Sequence, residues 1–196
     1  RVRQLINETI SILKEIVDIG KGSKEYLVFN GSDNKTWLFS KDGIRQGLQT
    51  YQPGSFKGRM FKRLLPYCRN NKFLLRILGV KSVRMQIKEN ISDIFKRFQK
   101  HQKDLRYTFY VGDSTFVANR KIVVQISDEI GVIAYGKFTK EESVKSTFEK
   151  EIENLKWLED KGITDIPKVL WFGNVGLCTG FIQSSVGQDK DGKVDQ

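Results

Sequence analysis

Five short β-rich segments, broken once by a long charged helix, set the strongest limit on how this chain can fold. Tyr107 to Val111, Lys121 to Ser127 and Val132 to Thr139 are β-rich, and Gly112-Asp113-Ser114 and Asp128-Glu129-Ile130-Gly131 stand between them as turns. A helix from about Glu141 to Lys161 follows and closes at Gly162. Ile166 to Gly173 and Leu177 to Gln183 read as two more strands around Asn174-Val175-Gly176. The order β-β-β-α-β-β predicts a five-stranded antiparallel sheet with one docked helix. The tail from Gly187 is polar.

The first half has a different rhythm. Val2 to Ile19 carries Leu5, Ile6, Ile10, Leu13, Ile16 and Val17 at helical spacing, and Gly20-Lys21-Gly22-Ser23 ends it. Glu25 to Asn30 and Lys35 to Ser40 predict a hairpin around Gly-Ser-Asp-Asn. Pro53-Gly54 opens a basic amphipathic stretch, Ser55 to Leu65, which Pro66 is expected to end. Asn71 to Leu78 reads as one or two helical turns, and Ile87 to Gln102 as a further helix. The expectation is therefore an α+β chain in two parts: a basic helical and hairpin module over residues 1–104, and the sheet-and-helix unit over 105–196.

Hydrophobic residues make up 39% of the 196, enough for a packed core, and no apolar run approaches the roughly 18 residues that span a bilayer. The net charge of +11 is lopsided: residues 1–104 hold 22 Lys/Arg against 9 Asp/Glu, whereas 105–196 hold 12 against 14. A basic field of this kind draws anionic partners. For Ser55 to Leu78 three readings stand side by side: a solvated helix pair packed on the rest of the protein, a basic amphipathic surface for an anionic membrane, or a nucleic-acid surface. The last has aromatics among its Lys and Arg but no groove-reading or RNA-binding motif. Cys68 and Cys178 lack metal-type spacing and read as reduced thiols of a cytoplasmic protein. The chain begins Arg1-Val2-Arg3 without Met or a signal-peptide pattern, and is expected to be a piece of a longer protein.

The chemistry centres on one pair. On a wheel turning about 100° per residue, Val144, Phe148, Ile152, Leu155 and Leu158 occupy an arc of about 120°. Glu151 falls inside that arc, where a carboxylate costs several kcal/mol unless it is paired. Lys137, on the strand leading into the helix, is the natural partner; it shares a face with Ile133 and Tyr135. The plainer alternative leaves Lys137 exposed and lets Glu151 reach solvent past its neighbours.

Residues 105–187 resemble the amino-terminal lobe of the protein-kinase-like fold. They stand nearer the aminoglycoside-phosphotransferase branch, and within it the lipopolysaccharide-kinase-like proteins. The resemblance rests on Phe109-Tyr110-Val111-Gly112, Arg120-Lys121-Ile122-Val123-Val124-Gln125, Tyr135-Gly136-Lys137, Glu151 to Leu158, Ile166 to Leu170 and Phe181 to Gly187. It implies that Lys137 holds the α- and β-phosphates of ATP and that Glu151 orients Lys137. Gly112, Asp113, Ser114 and Thr115 would form the loop over the phosphates, and Gln183, Ser184, Ser185 and Val186 the hinge against adenine. The phosphate loop holds one glycine, Tyr135 stands where the family prefers a small residue, and His101 is the sole histidine. No His-x-Asp or Asp-Phe-Gly motif follows, so the catalytic base and the Mg²⁺ ligands are expected in a carboxy-terminal lobe beyond this chain. The expectation is the nucleotide-binding portion of a phosphotransferase that acts on a small molecule or a surface-polysaccharide sugar. It would work in the cytoplasm, either free or peripherally at the inner membrane face. The alternatives are an inactive kinase-like scaffold, or a basic module that binds a membrane surface or nucleic acid.

Overall fold

The structure, a computed structural model, describes residues 11–31, 35–98, 104–112 and 121–186. Helix α1 (residues 11–16) runs directly into β1 (Val17–Ile19). Then come β2 (Glu25–Asn30), β3 (Lys35–Ser40), α2 (Ile44–Thr50), α3 (Phe56–Cys68), α4 (Lys72–Ile77), β4 (Lys81–Ile87) and α5 (Glu89–Lys96). The second half contributes β5 (Arg106–Gly112), β6 (Ile122–Ser127), β7 (Val132–Thr139), α6 (Glu142–Asp160), β8 (Val169–Val175) and β9 (Cys178–Ser184).

All nine strands belong to one antiparallel sheet in the order β1-β4-β2-β3-β5-β6-β7-β9-β8. The expected five-stranded sheet with one docked helix is thus corrected. Its five strands are present, but they continue into four more, with six helices among the described residues. The join is the ladder from Lys35↔Gly112 to Phe39↔Thr108. It pairs the free edge of the β2–β3 hairpin with the free edge of β5, so neither is left to recruit a foreign strand.

Three local expectations also change. The first helix ends at residue 16, because Val17, Asp18 and Ile19 pair with Ile87, Gln86 and Met85; residues 2–10 of that expected helix lie outside the described residues. Ile87 closes β4 instead of opening a helix, so α5 starts two residues later, and residues 99–102 lie outside the described residues. Pro66 lies inside α3, which runs on to Cys68. In a last turn the missing proline N–H removes one bond without stopping the chain's path.

The sheet separates two layers, because successive side chains point to opposite faces. One face packs α1 and α5 into a core of Ile12, Ile16, Tyr26, Phe95, Phe109, Phe138 and their neighbours. The other is covered in two places. Helices α2, α3 and α4 cover β2 and β3 through Leu27, Phe39, Ile44, Leu48, Phe61 and Leu65. Helix α6 covers β9 through Val144, Phe148, Ile152 and Phe181. Helix α6 stops where Gly162 takes a left-handed φ of 77° and Ile163 N–H returns to Leu158 O at 3.1 Å.

Candidate functional site

Between these two helical covers lies a strip of sheet that no described helix closes. The ladders put Trp37, Tyr110, Val123, Lys137 and Phe181 in one row across β3, β5, β6, β7 and β9. The next row on the same face is Phe39, Thr108, Gln125, Tyr135 and Gln183. Under α2, Thr108 and Gln125 are buried; Tyr110, Val123, Tyr135 and Lys137 are only half-buried. The strip thus has a covered edge and an open centre.

Lys137 and Glu151 form an ion pair, Nζ to Oε1, joining β7 to α6. The ammonium also sits 5.4 Å from the centroid of the Phe181 ring, within reach of a cation–π attraction. The side chains remain 17% and 34% exposed, so each charge keeps part of its hydration and is open to a ligand from the strip. Phe181 was not singled out from the sequence. Its place beside Lys137 follows only from the β7–β9 register, which pairs the two directly.

Gly112 ends β5 at the same end of the sheet as Lys137, because β5 and β7 run in the same direction on either side of β6. Asp113, Ser114 and Thr115 lie outside the described residues. The hinge expected from the sequence sits at the opposite end, where β9 leaves the sheet. There the backbone N–H groups of Ser184 and Ser185 donate to Lys168 O and Ile133 O, each at 2.9 Å. The Ser185 hydroxyl donates to Val132 O at 2.6 Å, and the Ser184 hydroxyl accepts from Lys168 N at 2.9 Å. Val186 follows, exposed.

The two ends are bridged by the row through Tyr135. Gln183 Oε1 is buried with no hydrogen-bond partner among the described residues, directly across the strand from Tyr135. Burial raises the Tyr135 hydroxyl above its ordinary pKa, so it stays a neutral donor. Gln125, next in the row, is fully engaged. Its Nε2 donates to Gln46 O at 2.8 Å, and the Thr50 hydroxyl meets its Oε1 at 2.9 Å. This docks α2 on the sheet. Gly47 makes it possible, since a β-carbon there would overlap the Thr108 hydroxyl.

A cavity of about 570 Å³ opens on the opposite face, lined by residues including Lys24, Tyr26, Met85, Lys96, Leu105 and Tyr107. None of the residues proposed from the sequence lines it. Its lysines are engaged: Lys24 donates to Leu105 O at 3.0 Å, and Lys96 pairs with Asp93 at 3.1 Å. Volume thus points to one face and converging chemistry to the other, and a built ion pair beside an unpaired acceptor outweighs volume alone.

No protein-family model, curated protein or solved structure matches this chain. Among the described residues no three His, Cys, Asp or Glu side chains converge as a metal group would require. No described helix is long and apolar enough to cross a membrane.

Proposed function

We propose that β5 to β9 with α6 form the nucleotide-binding portion of an ATP-dependent phosphotransferase. The observation that carries this reading is the Lys137–Glu151 pair, formed between a central strand and the helix that follows it, on a half-buried strip next to the Gly112 end of β5. Phosphoryl transfer asks its protein mainly for positioning and charge, and a strand lysine held by a helix glutamate supplies both. Lys137 Nζ would hold phosphate oxygens, and Glu151 would keep that ammonium aimed along the strip. Gln183 Oε1, unpaired but closed to solvent, would accept from an N–H donor such as an adenine amino group once a side-chain shift uncovers it. ATP, when bound, supplies the phosphoryl group. Mg²⁺ would accompany it, with its carboxylate ligands in a following lobe. The acceptor would be a small molecule or a surface-polysaccharide sugar, and the protein would work in the cytoplasm, at the inner face of the membrane.

A scaffold that transfers nothing is the second reading. The engaged N–H groups of Ser184 and Ser185 favour it, since they leave fewer backbone donors for adenine. Calorimetric titration with ATP, with and without Mg²⁺, separates the two. Binding that Lys137→Ala weakens at least tenfold supports the nucleotide site. An intact, folded wild-type chain that binds no ATP overturns it and leaves the scaffold.

A further inference from the structure

Helix α3 has two apolar stripes and uses only one of them for folding. With Phe56 at zero and about 100° per residue, Phe61 and Leu65 fall at about 140° and 180°; both are buried in the cluster under α2 to α4. Tyr67, Met60 and Leu64 fall with Phe56 inside an arc of about 80°, and all four are exposed, Tyr67 to 80%. Helix α4 repeats the pattern: Leu75 is buried, whereas Phe73 and Ile77 are 70% and 66% exposed. Scattered exposed apolar residues need no explanation, but six large ones on one helix pair do.

The surrounding charge says what covers them. Between Asp42 and Glu89 lie 46 residues with 11 Lys/Arg and no Asp or Glu. Arg59 and Arg63 border the exposed stripe of α3 on one side and Lys57 on the other; Lys72 and Arg76 are exposed on α4. Arg59 donates to Gly54 O at 3.0 Å and Lys72 acts on the Glu25 carboxyl from outside the segment, but the segment itself holds no acidic residue to neutralise these cations. An apolar stripe framed by cations on a surface helix is the pattern of an interfacial membrane helix: the apolar side chains enter the acyl boundary and the cations meet anionic headgroups. A nucleic acid would use the charge but not the aliphatic Met60, Leu64 and Ile77, which have no flat face to stack on a base.

We propose that α3 and α4 dock this protein on an anionic lipid bilayer surface, with Phe56, Met60, Leu64, Tyr67, Phe73 and Ile77 as the inserted side chains. This does not rest on the phosphotransferase reading. Both helices lie over the same sheet face that carries Lys137, since Phe29, stacked on Phe61 at 4.0 Å, continues the row of Trp37, Tyr110, Val123 and Lys137.

The test is flotation of the 196-residue chain with phosphatidylcholine vesicles, with and without phosphatidylglycerol, over a range of salt. Two variants accompany it: Phe56→Ser/Met60→Ser/Phe73→Ser/Ile77→Ser, and Arg59→Gln/Arg63→Gln/Lys72→Gln/Arg76→Gln. All eight positions are exposed, so circular dichroism should be unchanged. The expected result is binding only to the anionic vesicles, weakened by salt, lost in the serine variant and reduced roughly fivefold per charge removed in the glutamine variant. No binding of the wild type at low salt overturns the proposal, as does binding that the serine variant retains in full. Tighter binding to a short RNA or DNA duplex than to vesicles, lost in the same variants, overturns it in favour of nucleic acid. A wild-type dimer in solution that the serine variant converts to monomer, without vesicle binding, overturns it in favour of a self-interface.

Discussion

Phe138 stands directly across the strand from Gly180, and its ring occupies the space that a side chain at position 180 would take. A β-carbon built on Gly180 lies 2.7 Å from Phe138 Cδ1 and 2.8 Å from Trp171 Cζ3. Phe138 is fully buried in the α1–α5 core and cannot swing aside. Gly180→Ala should therefore destabilise the protein by about 1–3 kcal/mol through overpacking. Urea denaturation with an unchanged slope would show it. A midpoint equal to the wild type's would mean that the β7–β9 pair is more yielding than its packing implies.

The Lys137–Glu151 pair should matter little to stability. Both partners keep part of their hydration, and such pairs contribute about 0–1 kcal/mol. Glu151→Gln is expected to leave the thermal midpoint within a few degrees and to weaken ATP binding in parallel with Lys137→Ala. If Glu151→Gln unfolds the protein, the pair is a structural rivet and the nucleotide reading loses its main support.

Acid should loosen two joints in particular. The hydrogen bond and charge of Lys140 hold the Glu15 carboxyl below its ordinary pKa, tying α1 to the end of β7 at 2.9 Å. Hydrogen bonds from Lys41 and then Ser82 do the same for Glu25 on β2. A carboxyl with a depressed folded pKa stabilises the fold above its unfolded value and loses that contribution as pH falls through the folded one. Stability should thus be constant near neutrality and fall below pH about 4. Lys140→Ala should shallow that fall. A pH profile identical to the wild type's would show that the α1 joint carries no linkage.

The two cysteines should react in sequence. Burial, the main cause, pushes the Cys178 thiol up to about 11, so at pH 8 only about one molecule in a thousand carries the thiolate. Cys68, half-buried on the last turn of α3, is the accessible one. One equivalent of a disulfide reagent should be consumed by the folded chain, and the second only in denaturant. Lys140→Ala, by loosening α1 above Cys178, should shorten that lag.

The second half was legible because its elements are local: each strand is a single alternating run bounded by turn residues, and the helix sets its own wheel. The Lys137–Glu151 pair followed from the same locality, since strand and helix are consecutive. The first half showed its β2–β3 hairpin but hid β1 and β4 for identifiable reasons. Val17 to Ile19 continues the apolar spacing of the helix before it, and only pairing with β4 makes it a strand. Lys81 to Ile87 does alternate, with Val83, Met85 and Ile87 turned inward, a signal that the stronger helical pattern after it obscured. Helix α2 is seven residues long and holds Gly47, a residue poor for propensity but required for contact with Thr108. The β3–β5 ladder could not be read at all, because nothing in either strand specifies a partner about seventy positions away.

That ladder sets a timetable for synthesis. As the chain leaves the ribosome, β2 and β3 can close on each other at once, but β1 has no partner until β4 emerges, and the outer side of β3 waits longer still for β5. During that interval α2, α3 and α4 are made, and they cover the same hairpin's outer face. For about a third of its elongation the nascent chain would thus carry a hairpin whose β3 edge is open, the β2 edge closing earlier when β4 emerges. Any slowing of translation between residues 41 and 105 would prolong the period in which another nascent copy could take that side first.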